Sequence, residues 1–462
     1  MTRNGLIWLL CVMFLSGCAS TSVFVPYPAQ MTHTKQEIAS AQYHRVQNAL
    51  AKKRQSADGM LYMMERGRVS FLADDIESSI QDYELVISAL EEKEEKAKVT
   101  VSGALNKGAS LLTNENAIPY AGEGYERIFV HHYQALNFLF KHQLESAGVE
   151  VRRANLEQEL ALKKYEDEVD EALSGKQEKN ILENNQDYLA RYEAMSRLAG
   201  SVKNSFQNAY TFYVSALIYE ALGEFNSALI DYKKALEIFP DNPYIVADVA
   251  RLAKGLAMNE DYERLKHKAK PSLLAVPNAQ EGKLVVLYEY DYVSEKKEIR
   301  LPFSANNQIQ MLTLPIYDNA IRFVPKLNVM NEGQSLAQTE KIVDVSVLAA
   351  KALNEKIPMT IVRQLSRMVL RQQFRDEGQR NLFAAVASIG HLLLNRADLR
   401  SWLTLPREAQ IAYSGLKVGE HEINLKVAGQ TSKVPVSIRS GKTTIIYVHL
   451  ANKRFVTKVV NL

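Results

Sequence analysis

The sequence predicts a multidomain chain, with α-helical hairpin repeats first and then an α+β region ending in a β-sandwich. Three observations predict it. Small and aromatic residues recur at hairpin spacing between Phe212 and Pro240. Beyond residue 270 the texture turns to β-branched and aromatic runs. From Ile411 onward, short runs of even length are separated by Gly419, Gly429, Gly441 and Asn452. With 462 residues, the chain has room for more than one domain.

Taken from the N-terminus, the first element is a targeting segment. Arg3 precedes an apolar run from Leu6 to Leu15, closed by Leu15-Ser16-Gly17-Cys18. A bilayer span takes about 20 apolar residues, so the run is too short and fits the apolar part of a secretory signal. Its small-small-Cys ending resembles a bacterial lipobox. That resemblance implies a signal peptide over 1–17, cleavage before Cys18 and lipid attachment at Cys18, palmitate included. One fatty chain holds a protein only marginally, whereas two or more anchor it stably. Ala19 rather than Asp follows the Cys, which by the same resemblance implies the outer membrane. An ordinary signal with an incidental Cys is the alternative. Residues 18–33, with Pro26 and Pro28, read as an extended, lipidated tether.

Residues 34–270 read as the helical domain. Lys35 to about Gln55 is rich in helix formers. The clearest repeat has Phe212, Ala216, Tyr219, Ala228, Tyr232, Ala235 and Pro240 where a tetratricopeptide repeat puts its bulky, small, aromatic and helix-ending residues. Small residues let two helices approach closely, and Pro240 cannot continue the hydrogen-bond ladder. The register recurs at Ala135, Phe138, Ala147 and Ala154, and again at Gly67, Ser79 and Tyr83. Three hairpins are therefore expected, at about 58–96, 122–173 and 205–240. The intervening stretches 97–121 and 174–186 read as insertions, the second a polar linker, and Lys163 to Glu171 as the solvent-projecting end of a long helix.

A stack of such hairpins is concave and lined by the first helix of each unit. The inner positions are Leu61, Met64, Arg68 and Phe71, then Phe129, His132, Leu136 and Leu139, then Tyr210, Tyr213, Leu217 and Glu220. Of these, Leu61, Met64, Phe71, Phe129, His132, Leu136, Tyr210, Tyr213 and Leu217 form the candidate partner groove, an apolar and aromatic stripe of the kind that supplies hot spots. The groove either receives a partner or is filled by the chain itself, with the stretch 35–55 as candidate filler.

Residues 271–343 read as a β-rich segment, with strands at Lys283–Val293, Glu298–Phe303 and Gln308–Tyr317 and a hairpin turn at Asn306-Asn307. Residues 344–400 return to helical spacing, with Pro358 fitting the first turn of a second helix. Leu382 to Leu394, broken by Ser388, Gly390 and His391, reads as a buried helix. Residues 401–462 read as a small β-sandwich with strands near 408–414, 420–428, 433–438, 443–450 and 453–460.

Composition narrows the chemistry. A net charge of +3 gives no argument for nucleic acid. The two cysteines are Cys11 and Cys18, so the mature body has no disulfide and no thiolate nucleophile or ligand. Gly441-Lys442-Thr443-Thr444 echoes a phosphate loop, but the first glycine would fall at Val436 and a strand follows. His131 and His132 point about 100° apart on a helix, which suits packing better than a shared metal. Glu123, Glu126, Asp74 and Asp75 stand at helix starts, where carboxylates serve the dipole. The expectation is a protein that is not an enzyme, with no catalytic set, no metal and no cofactor.

Five stretches carry a wider resemblance: Ala57-Asp58-Gly59-Met60-Leu61-Tyr62, Gly124-Tyr125-Glu126-Arg127, His131-His132-Tyr133-Gln134-Ala135-Leu136-Asn137, Val151-Arg152-Arg153-Ala154-Asn155 and Asp398-Leu399-Arg400-Ser401-Trp402-Leu403-Thr404-Leu405-Pro406. They resemble a poorly characterised family of Gram-negative outer-membrane lipoproteins with tetratricopeptide-like helices. Members are often encoded beside a lipoprotein resembling activators of penicillin-binding proteins. The family brings no established activity. The expectation is a periplasm-facing, non-catalytic scaffold or assembly factor for envelope machinery, with peptidoglycan synthesis regulation first and outer-membrane or surface-appendage assembly second. Its partners would be envelope proteins and, through the anchor, the membrane. The alternative is a cell-wall glycan binder or enzyme using the C-terminal β-region, with Trp402, Tyr288, Tyr290 and Tyr292 as stacking aromatics.

Overall fold

The structure, a computed structural model, describes residues 25–100, 116, 118–172, 186–274, 280–305, 308–318, 323–376 and 396–462. The signal peptide, Cys18, the Asn306-Asn307 turn, residues 174–185 of the linker and the Leu382–Leu394 stretch lie outside the described residues. An N-terminal helical region is followed by a mixed sheet region.

The helical region is a series of pairs: α1 (Tyr27–Ala39) with α2 (Tyr43–Ala51), α3 (Gly59–Leu72) with α4 (Ile76–Thr100), and α5 (Gly124–Phe140) with α6 (Leu144–Ala172). After α7 (Gln186–Ala199) come α8 (Ala209–Ala221) with α9 (Phe225–Ile238), α10 (Pro243–Gly255) with α11 (Asn259–Leu265), and the short α12 (Pro271–Leu274). The three expected hairpins coincide with α3–α4, α5–α6 and α8–α9, and two further pairs flank them.

One turn serves all five pairs. Its left-handed residue is Ala41, Asp74, His142, Gly223 or Ala257, with φ between 56° and 78°. The next residue donates its N–H back across five positions, as in Gln42 to Glu37, Asp75 to Ser70, Gln143 to Phe138, Glu224 to Tyr219 and Met258 to Ala253, at 2.8–3.0 Å. This is the Schellman closure, which satisfies carbonyls the helix end would leave bare. Within α3–α4 the small-to-large match is direct. A Cβ on Gly67 would sit 2.8 Å from the Tyr83 ring, and the Ser79 hydroxyl donates to the Gly67 carbonyl at 2.8 Å.

The tether is shorter than 18–33. Helix α1 begins at Tyr27, with Pro28 in its first turn, where a missing N–H costs nothing. Tyr27, Met31 and Ile38 are buried, so α1 is docked on the body.

The strands are β1 (Glu281–Tyr292), β2 (Lys297–Ala305), β3 (Gln308–Ile316), β4 (Asn328–Asn331), β5 (Gln334–Gln338), β6 (Glu340–Asp344), β7 (Pro406–Lys417), β8 (Gly419–Val427), β9 (Gln430–Ile438), β10 (Thr443–Ala451) and β11 (Arg454–Asn461). They form a five-stranded sheet ordered β11-β10-β1-β7-β6, a four-stranded sheet ordered β5-β4-β8-β9 and the β2–β3 hairpin. Strand β1 is central, parallel to β10 and antiparallel to β7. Its alternating faces do different jobs. Leu284, Val286 and Tyr288 join an apolar layer with Ile423, Leu425, Val434 and Val436 of the four-stranded sheet. Val285 and Leu287 join the larger core shared with the helices.

Residues 401–462 therefore do not complete this layer alone. They need β1 and β4, because period-two alternation identifies a buried face and not the strand's neighbours. Pro358 also falls otherwise than expected. It lies inside a single helix, α13 (Val345–Asp376), rather than at the start of a second one.

Candidate functional site

The nine groove residues are brought together, and none is a surface. Leu61, Met64, Phe71, Phe129, His132, Leu136, Tyr210, Tyr213 and Leu217 are each at most 3% exposed. The chain fills its own groove, and the filler is the five-stranded sheet rather than residues 35–55. Helix α2 packs on α3, whereas Phe71 meets Tyr447 of β10 edge-on, with centroids 5.1 Å apart. The cause is simple. An apolar concave face of this length must be covered by something, and the β-region offers a second apolar face.

At the centre of this seam, α3 presents Arg68 and β1 presents Glu289, both fully buried. They form an ion pair through Arg68 Nη2 and Glu289 Oε2. Around them Tyr447 donates to Glu289 at 2.6 Å, Tyr133 at 3.2 Å and Tyr210 at 3.3 Å. The same Nη2 donates to the Tyr447 oxygen at 2.8 Å and lies 3.3 Å from His449 Nδ1. The guanidinium carbon lies 4.3 Å from the Tyr133 ring centroid, a cation–π contact for a cation shielded from water. Burial works to raise the pKa of Glu289, but Arg68, His449 and the Tyr447 hydroxyl outweigh it and hold it at about 2. His132 sits against Tyr210 at 4.6 Å, and burial takes its imidazole down to about 3. It is therefore neutral at pH 7 and serves as a packing ring.

A second group of carboxylates holds an extended segment of the chain. Glu65 of α3 accepts the N–H groups of Leu403 at 2.7 Å and Thr404 at 3.0 Å, together with the Tyr27 hydroxyl at 3.1 Å. Glu126 of α5 accepts the Trp402 N–H at 2.7 Å and also the Tyr120 hydroxyl at 2.5 Å. Asp58 and Asp398 both pair with Arg400, each at 2.7 Å. Trp402 is fully buried between Tyr83 and Tyr133, and its indole N–H donates to Thr404. Residues 398–405 thus run as a strap, its backbone donors capped by the helices. Backbone amides buried without acceptors would each cost about 1–3 kcal/mol. Asp58, Glu126 and the stretch from Asp398 to Thr404 are thus one site in the fold.

A third contact joins α10 to β1. Asp248 is fully buried and pairs with Lys283 at 2.6 Å and Arg251 at 2.8 Å, and it accepts the Tyr213 hydroxyl at 3.1 Å. Burial opposes the charge on Asp248, and the two cations overcome that and lower its pKa.

The remaining polar residues singled out in the sequence bind the chain as well. His131 meets Glu150 at 2.7 Å. Arg127 reaches Glu94 and Glu157, Arg152 reaches Glu224, and Arg153 reaches Glu150. Asn155 donates to Asp231 at 2.7 Å. Glu123 and Glu126 form a capping box on α5. Among the described residues, no three His, Cys, Asp or Glu side chains gather as a metal set. A cavity of about 160 Å³, lined by Ile238, Phe239, Val343, Asp344 and Leu348 among others, lies apart from these networks.

The proposed stacking aromatics do not form a common stripe. Trp402 and Tyr288 are fully buried. Tyr290 stays with Tyr288 on the face toward the four-stranded sheet. Asp291 takes φ 53°, which breaks the alternation, and Tyr292 turns to the opposite face against His449 at 5.4 Å.

Glu289, Tyr447 and His449 were not singled out in the sequence. The signal is faint: a carboxylate, Glu289, between two tyrosines of a mostly apolar and aromatic strand, and a charge, Arg68, in an otherwise apolar helix face. No protein-family model matches this chain, and no curated protein matches it.

Proposed function

We propose that the protein is a lipid-anchored outer-membrane lipoprotein facing the periplasm, a non-catalytic scaffold or assembly factor for envelope machinery. In this reading α3–α4, α5–α6 and α8–α9 are tetratricopeptide-like repeats closed by a β-sandwich. Peptidoglycan synthesis regulation is the first process to examine.

The observation that carries the reading is where the acids and bases go. Arg68, Glu289, Glu65, Glu126, Arg400 and Asp248 are buried and bonded to other parts of the same chain. Such networks fix one arrangement of two regions, which suits a rigid platform. Partners then meet the outer surface. Helix α6 shows Val149, Leu156 and Leu160 on its solvent side, each 47–54% exposed. Among the described residues no helix is long and apolar enough to cross a membrane, so attachment in this reading rests on Cys18.

Two measurements test it. Labelled palmitate should enter the wild type and not Cys18→Ala; a freely soluble full-length mature product would end the anchor reading. In vivo crosslinking with mass spectrometry should return envelope proteins joined to outward positions such as Leu156. Retention by purified sacculi without any protein partner would favour a cell-wall binder instead.

A further inference from the structure

We infer that the turn Lys52-Lys53-Arg54 is a contact surface for anionic phospholipid, turned toward the membrane by the docked helix α1; this rests on acylation of Cys18. Two independent observations meet at that turn.

The first is reach. Nine residue steps separate Cys18 from Tyr27, and a fully extended chain covers at most about 3.6 Å per residue. The body is thus held within about 30 Å of its anchor. Because α1 is packed down, the tether leaves from one fixed point. The second is what surrounds that point. The Gln30 side chain donates to the Val25 carbonyl at 2.7 Å, and the Tyr62 hydroxyl donates to Gln30 Oε1 at 2.6 Å. Lys53 Nζ lies over the Tyr62 ring, 4.7 Å from its centroid. The basic turn therefore stands two side chains away from the tether's exit.

Lys52 and Arg54 are exposed, and neither enters an ion pair among the described residues. Arg54 has the Asp82–Arg66 pair as its neighbour. Phosphate-bearing headgroups of net negative charge complement such a cluster, and the attraction acts only within a screening length of about 10 Å. A leash of at most about 30 Å ending beside the cations lets them come within that screening length.

The test uses the acylated mature protein in vesicles of phosphatidylcholine alone or with added phosphatidylglycerol. The body has no other cysteine, so Gln55→Cys or Lys433→Cys carries a single donor dye, and acceptors sit on lipid headgroups. Lys433 lies on β9, in the four-stranded sheet, whose apolar layer packs on the face of β1 opposite the core shared with the helices. Energy transfer from position 55 should exceed that from position 433 in vesicles with phosphatidylglycerol. The excess should shrink in phosphatidylcholine alone, at high salt, and in Lys52→Glu/Arg54→Glu. Protein that floats with the vesicles but gives equal transfer from both positions, or transfer indifferent to lipid charge, overturns the inference while sparing the anchor. Protein that does not float overturns the anchor and the inference with it.

Discussion

Arg68 and Glu289 are 221 positions apart in the chain, and each is legible alone only as an oddity. A buried charge is tolerated when its partner is in place, and loss of one partner costs about 3–5 kcal/mol. Arg68→Met should therefore lower unfolding free energy in urea by that order. Glu289→Gln added to it should restore part of the loss, since the amide oxygen still accepts from Tyr447 while the stranded charge is gone. Additive costs in the double variant would show that the two side chains are not coupled. Sequence reasoning placed Arg68 on the inner face but could not supply Glu289, because pairing at this distance leaves no local pattern.

Protonation belongs to the same scale. Burial pushes Asp82, Glu65 and Glu408 each up to about 7. A carboxyl with a raised folded pKa binds its proton more tightly when folded. Its contribution is complete below the unfolded value near 4 and is lost as pH rises through about 7. Over this range the buried His132, depressed to about 3, works the other way only below its unfolded value of about 6.5. Unfolding free energy should accordingly fall between pH 6.5 and pH 8, by roughly 1 kcal/mol per group. Asp82→Asn should flatten that slope, and a slope unchanged by it would assign the effect elsewhere.

At the scale of elements, the five shared turns make a sharper forecast. Ala41 and Ala257 hold left-handed conformations that cost an L-residue roughly 1 kcal/mol. Ala257→Gly should raise stability by up to about 1 kcal/mol, while Gly223→Ala should lower it by a similar amount. Thermal melts of the two variants would settle the signs. The hairpins themselves were readable because small and large residues recur at fixed spacing. Strands were readable from their alternation. The turn was not, since only Gly223 among its five left-handed residues is a glycine. Likewise α13 runs through Pro358, which read locally as a helix start.

At the scale of the whole molecule, the helices and the five-stranded sheet share the larger apolar core, which takes Phe71 and Tyr133 from the helices and Val285 and Ile445 from the sheet, while a second layer lies between the two sheets. Helical and aromatic circular dichroism should therefore be lost together in one transition. A fragment ending at residue 274 should expose its inner face and bind a hydrophobic dye. A soluble, monomeric fragment that does not bind the dye would refute the shared core. The order of the two regions is legible in the sequence; that one lies in the hollow of the other is not. Surface complementarity between distant segments is a property of their assembled shapes.

The parallel register of Lys283 with Thr443 through Tyr290 with Leu450 also sets a timetable. A chain synthesised N-terminus first presents its hairpins to water long before β10 exists to sit beside β1. Local helices form in microseconds, whereas a pairing across some 160 residues must await the end of the polypeptide. Until then Tyr210, Phe129 and Leu61 are uncovered, and the unfinished chain is a sticky intermediate of the kind that holdases bind. Truncation near the C-terminus should thus be far more damaging to yield than a nick of equal size in the early loops.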